Sequence, residues 1–129
     1  MADSQRPRIL LIDDEPLIGA LIVRVLAAGY DVTVATHGQA ALDLLDASDD
    51  FRLILCDLMM PGLSGMDVHA ALEARGSPLV QTMVFLTGGA FASQEGDFLE
   101  RVPNLCLEKP FLADELRIAV REGVAKFKA

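Results

Sequence analysis

Cysteine is scarce in this chain, which holds only Cys56 and Cys106 among its 129 residues. Each lies inside an apolar run instead of a metal-spaced pair, so we interpret both as small packing residues. Nothing in their number or spacing indicates the disulfide scaffold of small secreted proteins. A reducing, cytoplasmic compartment is therefore the default expectation.

Long apolar runs are also missing, although 52% of the residues are hydrophobic. No run approaches the roughly 20 residues that span a bilayer, and the polar start MADSQRPR has no signal-peptide core. A chain of this length buries enough surface to form one core. We expect a single soluble domain over residues 1–129, with residues 1–6 as a disordered or loose tail and no membrane partner.

Basic residues are outnumbered, since 11 Lys and Arg stand against 19 Asp and Glu, giving a formal net charge of −8. An acidic surface repels the phosphate backbone of DNA and RNA. Repeats, low-complexity tracts and linkers are absent as well. The composition thus argues for one compact domain that does not bind nucleic acid directly.

Five short apolar runs punctuate the sequence, and segments with helical periodicity separate them. The runs cover residues 9–12, 32–35, 53–56, 80–86 and 105–107. Three of them contain unbroken apolar stretches (ILLI, LILC and MVFL) that are typical of strands covered on both faces of a parallel sheet. The other two suit flanking positions. The alternation predicts an α/β fold, (βα)5, with a doubly wound five-stranded parallel sheet.

Capping signals mark several of the predicted helices. Two pairs of residues have the spacing of a capping box: Thr36 with Gln39, and Ser64 with Asp67. The segment 90–101 is a weaker helix because Gly96 costs about 1 kcal/mol against alanine. The last helix, about Ala113–Phe127, begins after Leu112, which is a poor capping residue.

Polar side chains follow four of the five predicted strands. Asp13 and Asp14 follow the first, Asp57 the third, Thr87 the fourth and Lys109 the fifth. In a sheet of this kind, functional groups gather at the carboxyl ends of the strands. Three neighbouring carboxylates repel one another, and a hard cation that also accepts phosphate oxygens relieves this. The pattern predicts a site for Mg2+, with Mn2+ as an alternative, and for a phosphoryl group.

Asp57 is the candidate nucleophile, because a carboxylate can accept a phosphoryl group as an acyl phosphate. A rigid turn with Pro61 and Gly62 follows it and can keep the carboxylate accessible. Lys and hydroxyl donors would stabilise the transferred oxygens. Zinc and copper would need His or Cys, but neither His37 nor His69 falls at the carboxyl end of a strand, and both are expected to be surface or boundary residues.

The chain resembles the receiver domain of two-component response regulators over essentially its full length. The matching motifs are LLIDDE, LILCDLMMPGLSGMDV, FLTGG and EKPF, in the family's order and spacing. The resemblance implies the flavodoxin-like strand order 2-1-3-4-5 and phosphorylation of Asp57 by a phosphohistidine. It also implies that Asp14 binds Mg2+ directly, Asp13 largely through water, and Met59 through its backbone carbonyl.

Further expectations follow from the same resemblance. Thr87 and Lys109 would contact the phosphoryl oxygens, and the Lys109–Pro110 peptide bond would be cis. The partner would be a sensor histidine kinase or a histidine phosphotransfer domain. The signal would leave through the face formed by the fourth helix, the fifth strand and the fifth helix. Such a domain is a phosphorylatable switch, not a conventional enzyme.

Two features depart from the usual receiver pattern. Cys106 stands three residues before Lys109, where receivers usually place an aromatic residue that moves with Thr87. Met59 and Gly89 flank the expected route of the attacking water, and neither side chain can polarise it. We therefore expect an altered readout and slow intrinsic dephosphorylation.

Several alternatives stay open at this point. A pseudo-receiver would act as an interaction module without phosphorylation. A phosphatase with an aspartyl nucleophile would need a second carboxylate two residues later, where this chain has Met59. We expect no output domain after the fifth helix, and therefore either a stand-alone receiver or a receiver cut from a hybrid sensor kinase. A weak homodimer is also left open.

Overall fold

A five-stranded parallel sheet forms the centre of the molecule. The computed structural model describes residues 6–48, 50–88 and 93–127. The strands are β1 (Arg8–Ile12), β2 (Asp31–Ala35), β3 (Phe51–Asp57), β4 (Met83–Thr87) and β5 (Cys106–Glu108). They pair in the order β2-β1-β3-β4-β5, and each neighbouring pair is parallel. This confirms the predicted α/β architecture, (βα)5, and the flavodoxin-like order 2-1-3-4-5.

The three unbroken apolar runs become the three central strands. Every residue of 9–12, 53–56 and 83–86 is at most 1% exposed. The two less regular runs form the edge strands β2 and β5, whose residues are more exposed. Helices cover both faces of the sheet, so the residues of these three runs are buried whichever face they point to and have to be apolar.

In the described part of the chain, five α-helices cover the two faces of the sheet. They are α1 (Pro16–Leu26), α2 (Gly38–Ala47), α3 (Gly65–Ala74), α4 (Ser93–Arg101) and α5 (Ala113–Phe127). One buried cluster joins α1 and α5 to one face, as Ile22 and Leu116 show. The other cluster joins α2, α3 and α4 to the opposite face, with Val68 and Phe98 among its members. The apolar alternation along each strand divides its side chains between these two cores.

Two local predictions were wrong. The first half of the run 80–86 is not strand, because a short 3-10 helix occupies Pro78–Thr82 before β4 begins. Proline suits the first helical position, and Ser77 Oγ accepts a hydrogen bond from Leu79 N at 3.2 Å. The cap of α2 is His37 instead of Thr36, because the helix begins at Gly38. His37 Nδ1 accepts from the backbone N of Ala40 at 3.2 Å.

The other capping signals agree with the structure. Ser64 and Asp67 form the expected capping box of α3. At the start of α5, the backbone N of Leu112 donates to Glu115 Oε1 at 2.7 Å. The carboxylate three residues on therefore satisfies the end of α5 that Leu112 cannot cap with its own side chain. The predicted helical residues 90–92 lie outside the described residues.

The N-terminus is described from Arg6 onward, so residues 1–5 of the predicted tail lie outside the described residues. Arg6 Nη1 donates a hydrogen bond to the backbone O of Ala27 at 3.0 Å. Among the helices of the described ranges, none combines the length and the apolar character that crossing a membrane requires.

Candidate functional site

The carboxyl ends of the strands bring the predicted site residues to one edge of the sheet. Asp57 is the last residue of β3 and Thr87 the last of β4, while Asp13 directly follows β1 and Lys109 directly follows β5. One carboxylate oxygen from each of Asp13, Asp14 and Asp57 lies within 4.8 Å of the others. Parallel strand direction alone places these groups together, although they are far apart in sequence.

The two neighbouring aspartates after β1 have different surroundings. Asp13 is buried, and its Oδ1 accepts a hydrogen bond from the backbone N of Glu15 at 2.9 Å. Its own backbone N donates to Ala35 O at 3.1 Å, which fixes this turn to the end of β2. Asp14 is exposed. One carboxylate is thus held rigidly inside the site, and the other faces solvent at its mouth.

Lys109 reaches across the edge and contacts three carboxylates. Its Nζ lies 2.8 Å from Glu15 Oε1, 3.2 Å from Asp13 Oδ2 and 3.4 Å from Asp57 Oδ2. The backbone N of Lys109 donates to Thr87 O at 2.6 Å, which sets the height of the side chain above the sheet. The bond from Lys109 to Pro110 is cis, as the resemblance implies.

Burial dominates the electrostatics of Asp57. Desolvation and, to a smaller degree, the charge of Asp13 raise the pKa of Asp57 to about 6, although Lys109 and the backbone N–H of Met59 favour the ionised form. Desolvation by itself would lower the pKa of Lys109, but its contacts with Glu15, Asp57 and Asp13 outweigh it, so this pKa is raised. Lys109 is therefore charged at neutral pH. The crowded carboxylates favour an additional cation.

Thr87 ends β4 as a buried residue, and its hydroxyl is close to a thiol. Cys106 Sγ lies 3.9 Å from Thr87 Oγ1, at the range of a weak S–H hydrogen bond. Cys56 is fully buried, as expected, but Cys106 is exposed, so its interpretation as an interior packing residue was wrong. The reason is that β5 is an edge strand of only three residues.

Met59 lies beside Asp57 with an exposed side chain. Its backbone N is 3.4 Å from Asp57 Oδ1, a long hydrogen bond that helps to orient the carboxylate. The side chain is 57% exposed and can contact an approaching molecule. Gly89, the other residue expected near the water route, lies outside the described residues.

Glu15 is a site residue that the sequence reasoning missed. It gives Lys109 its shortest contact, and it lies at the N-cap position of α1 without a side-chain capping hydrogen bond. The available signal was the third consecutive acid of the motif DDE. Sequence proximity to Asp13 and Asp14 could have suggested its presence at this edge, but not its contact with Lys109.

A separate cleft of about 660 Å3 lies between α3 and α4, and its lining includes His69, Phe98 and Arg101. The site at the carboxyl ends of the strands contributes none of the described residues that line this cleft. His69 is buried there and packs edge-to-face against Phe98, with ring centroids 5.2 Å apart, so the expectation of a surface or boundary residue was wrong. Burial lowers the pKa of His69. This histidine acts as a neutral packing residue.

Comparison with known proteins agrees with this geometry. The family model of the response regulator receiver domain matches residues 9–121. The chain is 40% identical over 123 residues to the DNA-binding response regulator MtrA of Mycolicibacterium smegmatis, covering 92% of this chain and 51% of that protein. It is 35% identical over 115 residues to the response regulator MprA of Mycolicibacterium vanbaalenii, covering 88% and 48%. The chain thus spans about half the length of these curated relatives.

Solved structures show the same likeness. A response regulator receiver domain protein from Clostridium thermocellum superposes with a TM-score of 0.84 at 26% sequence identity. The superposition covers 95% of this chain and 97% of that one. The similarity therefore extends over the whole sheet and its helices.

Proposed function

Because the chain belongs to the response regulator receiver domain family, we propose that it is the phosphoacceptor module of a two-component phosphorelay, with Asp57 as the acceptor. One observation carries this proposal above the others. Asp57 ends a buried strand with its Oδ2 3.4 Å from the Lys109 ammonium and its carboxylate beside those of Asp13 and Asp14. We further propose that residues 1–129 form one receiver domain.

The proposed reaction is transfer of a phosphoryl group from a phosphohistidine to Asp57. A carboxylate oxygen of Asp57 attacks phosphorus and forms a P–O bond. The P–N bond of the donor breaks, and the imidazole nitrogen keeps its electron pair. The product is an aspartyl phosphate. Asp57 can act as the nucleophile at neutral pH because its pKa of about 6 leaves most of the carboxylate ionised.

A divalent cation fits the donor set at this edge. Asp13, Asp14 and Asp57 supply the hard oxygen atoms that Mg2+ prefers, and their oxygens lie close enough to share one ion. We propose the backbone carbonyl of Met59 as a further ligand, with Asp14 binding directly and Asp13 largely through water. When bound, Mg2+ or Mn2+ would neutralise the carboxylates and the developing charge on a phosphoryl oxygen.

Thr87 and Lys109 are the proposed contacts for the remaining phosphoryl oxygens. Lys109 is charged and already lies over Asp57. Thr87 offers a hydroxyl at the end of the neighbouring strand, where β3 and β4 are paired through Asp57 and Leu86. A point charge and a hydroxyl donor are suited to the charge that spreads over the oxygens during transfer.

The two alternative functions find less support. A pseudo-receiver has no need for the complete set of acidic, hydroxyl and ammonium groups present at this edge. An aspartyl phosphatase would need a general acid where Met59 places an exposed thioether. We therefore propose a signalling domain that catalyses only its own phosphorylation and slow dephosphorylation.

The proposed partner is a sensor histidine kinase or a histidine phosphotransfer domain, in keeping with the response regulators among the relatives. The net charge of −8 argues against direct contact of this chain with nucleic acid. The cytoplasmic location expected from cysteine usage stays a prediction.

For the outgoing signal, we propose movement of Thr87 and the face formed by α4, β5 and α5. Amide hydrogen exchange tests this proposal. Helix α2 is the internal control, because it packs against β1 and β2 near the opposite edge of the sheet. Phosphorylation should change exchange in Ser93–Arg101 and leave Gly38–Ala47 unchanged. Equal changes in both segments, or none in either, would contradict this route.

Labelling with a small-molecule phosphodonor and Mg2+ tests the proposed acceptor. We expect a single phosphoryl group that is labile to base and to hydroxylamine, located on Asp57 by mass spectrometry and lost in Asp57→Asn. An exposed aspartate of β2 serves as the matched control, since Asp31→Asn should label like the parent protein. Phosphodonor turnover without a labelled protein would favour a phosphatase, and no labelling would favour a pseudo-receiver.

A further inference from the structure

Within the described residues, three carboxylate oxygens take up the N–H donors of the Lys109 ammonium. An ammonium group carries three N–H bonds and no acceptor. Three carboxylate oxygens lie within hydrogen-bonding distance of Nζ, one each from Glu15, Asp13 and Asp57. A phosphoryl oxygen that is to contact Lys109 must therefore displace one of these partners.

The three partners differ in how readily they can be released. The Asp13 side chain is 0% exposed, and the Asp57 side chain is 8% exposed. The Glu15 side chain is 58% exposed, so water can replace Lys109 around its carboxylate. Releasing Asp13 would leave a charge buried without its partner, which is costly. Asp57 is the proposed acceptor and must stay at the site, so Glu15 is the one of the two remaining partners whose release costs less.

The local structure leaves the Glu15 carboxylate free to contact Lys109. Glu15 stands at the N-cap of α1 with an extended backbone, φ −98° and ψ 109°. Its backbone N is held by Asp13 Oδ1, which fixes the residue at the site. Its side chain does not cap the helix and instead turns to Lys109 at 2.8 Å.

We propose that Glu15 is a positioning residue that holds Lys109 in the unphosphorylated site and yields it to the incoming phosphoryl group. This inference rests on the proposed function of Asp57. Glu15 and the phosphoryl oxygens compete for the same N–H donor of Lys109. Glu15 thereby slows phosphorylation, and the length and charge of its side chain set the rate at which this chain accepts a phosphoryl group.

Three variants separate this competition from a general effect of charge. Glu15→Gln removes the charge at unchanged length, and Glu15→Asp keeps the charge but shortens the reach toward Lys109. Glu108→Gln is the matched control, because it removes an acid next to Lys109 that is not among the ion-pair partners of Lys109 within the described residues. Each variant is first shown to keep the thermal stability of the parent protein.

The rate of Asp57 phosphorylation by a small-molecule phosphodonor with Mg2+ is the first measurement. We expect Glu15→Gln and Glu15→Asp to be phosphorylated roughly two- to fivefold faster, the range that an exposed ion pair allows. Glu108→Gln should match the parent protein. Unchanged or slower phosphorylation of both Glu15 variants would overturn the inference. So would equal acceleration in Glu108→Gln, which would indicate a simple effect of net charge.

The second measurement needs neither metal nor phosphodonor. Competitive acetylation of the metal-free protein, read by mass spectrometry, reports how accessible the Lys109 amine is. We expect a roughly two- to fivefold increase in Lys109 labelling in both Glu15 variants relative to the other lysines. Unchanged labelling means that Glu15 does not hold Lys109, which overturns the inference.

Failure of this inference can be told apart from failure of the proposed function. If the parent protein takes no label on Asp57, the phosphoacceptor function and the inference fall together. If the parent protein is labelled and the Glu15 variants behave like it in both measurements, only the role of Glu15 falls.

Discussion

Asp57 is mostly ionised at neutral pH in surroundings that disfavour its charge. Burial and the neighbouring Asp13 raise its pKa to about 6, while Lys109 and the backbone N–H of Met59 act in the opposite direction. The result is a carboxylate that is mostly deprotonated at neutral pH but costs the folded protein free energy. The metal and phosphoryl site proposed for this edge would account for this cost, since a bound cation favours the ionised carboxylate and the proposed transfer requires it.

We predict that Asp57→Asn stabilises the metal-free protein above pH 7. The ordinary pKa is near 3.8, so the unfolded carboxyl loses its proton more readily than the folded one. Ionisation of Asp57 therefore costs the folded state free energy relative to the unfolded state. This cost grows as the pH rises from about 4 to about 6 and reaches its full size above that. The free energy of unfolding should rise by about 1 to 3 kcal/mol at pH 7.5.

Denaturant titrations at pH 7.5 and pH 4 measure this effect, with the exposed control Asp31→Asn. The gain from Asp57→Asn should nearly vanish at pH 4, where the native carboxyl is protonated. The control should change stability little at either pH. A loss of stability in Asp57→Asn at pH 7.5 would show that its contact with Lys109 outweighs burial.

The side chain of Met59 is expected to affect how fast the proposed phosphoryl group on Asp57 is hydrolysed. Its exposed thioether can neither donate a hydrogen bond to water nor act as a base. We predict a lifetime on the order of minutes or longer, and hydrolysis about tenfold faster in Met59→Asn, whose amide can orient water. The loss of label is followed over time, with Met60→Leu at a buried neighbour as the control. Loss of the parent's label within seconds would contradict this prediction.

At the scale of elements, the turn from β3 to α3 determines where Asp57 points. Gly65 begins α3 directly against this turn, and its backbone N donates to Leu58 O at 2.9 Å. A Cβ at this position would lie 2.8 Å from Asp57 O and 2.9 Å from Leu58 Cα. The close approach of α3 to the end of β3 thus requires glycine, and the position of Asp57, the proposed acceptor, depends on it.

We predict that Gly65→Ala both destabilises the protein and slows phosphorylation. The added methyl group must displace backbone atoms at the end of β3, which lowers the free energy of unfolding by about 1 to 3 kcal/mol. Gly96→Ala is the matched control, because nothing lies within 4 Å of its added Cβ and alanine favours the helix α4. This control should be as stable as the parent or more so, with an unchanged phosphorylation rate. Normal phosphorylation in Gly65→Ala would contradict the proposed dependence.

The molecule as a whole is acidic, with a formal net charge of −8. Its relative MtrA carries the name of a DNA-binding response regulator, but this chain spans 51% of that protein. We predict no retardation of duplex DNA at low salt up to about 100 µM protein, because the acidic surface repels phosphates. A basic protein of similar size is the positive control. Retardation that weakens with added salt would contradict the prediction.

Much of this protein could be predicted from its sequence because the deciding signals are local. Unbroken apolar runs identify strands buried on both faces, and the helical segments between them require parallel strands. Once the strands are parallel, Asp13, Asp57, Thr87 and Lys109 must meet at one edge. The strand order itself came from the resemblance to receiver domains, and the fold confirms it.

Only the tertiary structure decided the contacts between distant segments. Glu15 and Lys109 are separated by 94 positions, and no sequence pattern predicts their 2.8 Å contact. The burial of His69 depends on Phe98 from another helix, and the exposure of Cys106 on the shortness of β5. The sequence by itself determined which residues reach the edge, since strand direction fixes that. Packing decided which of them touch, because side-chain contacts depend on where separate elements meet.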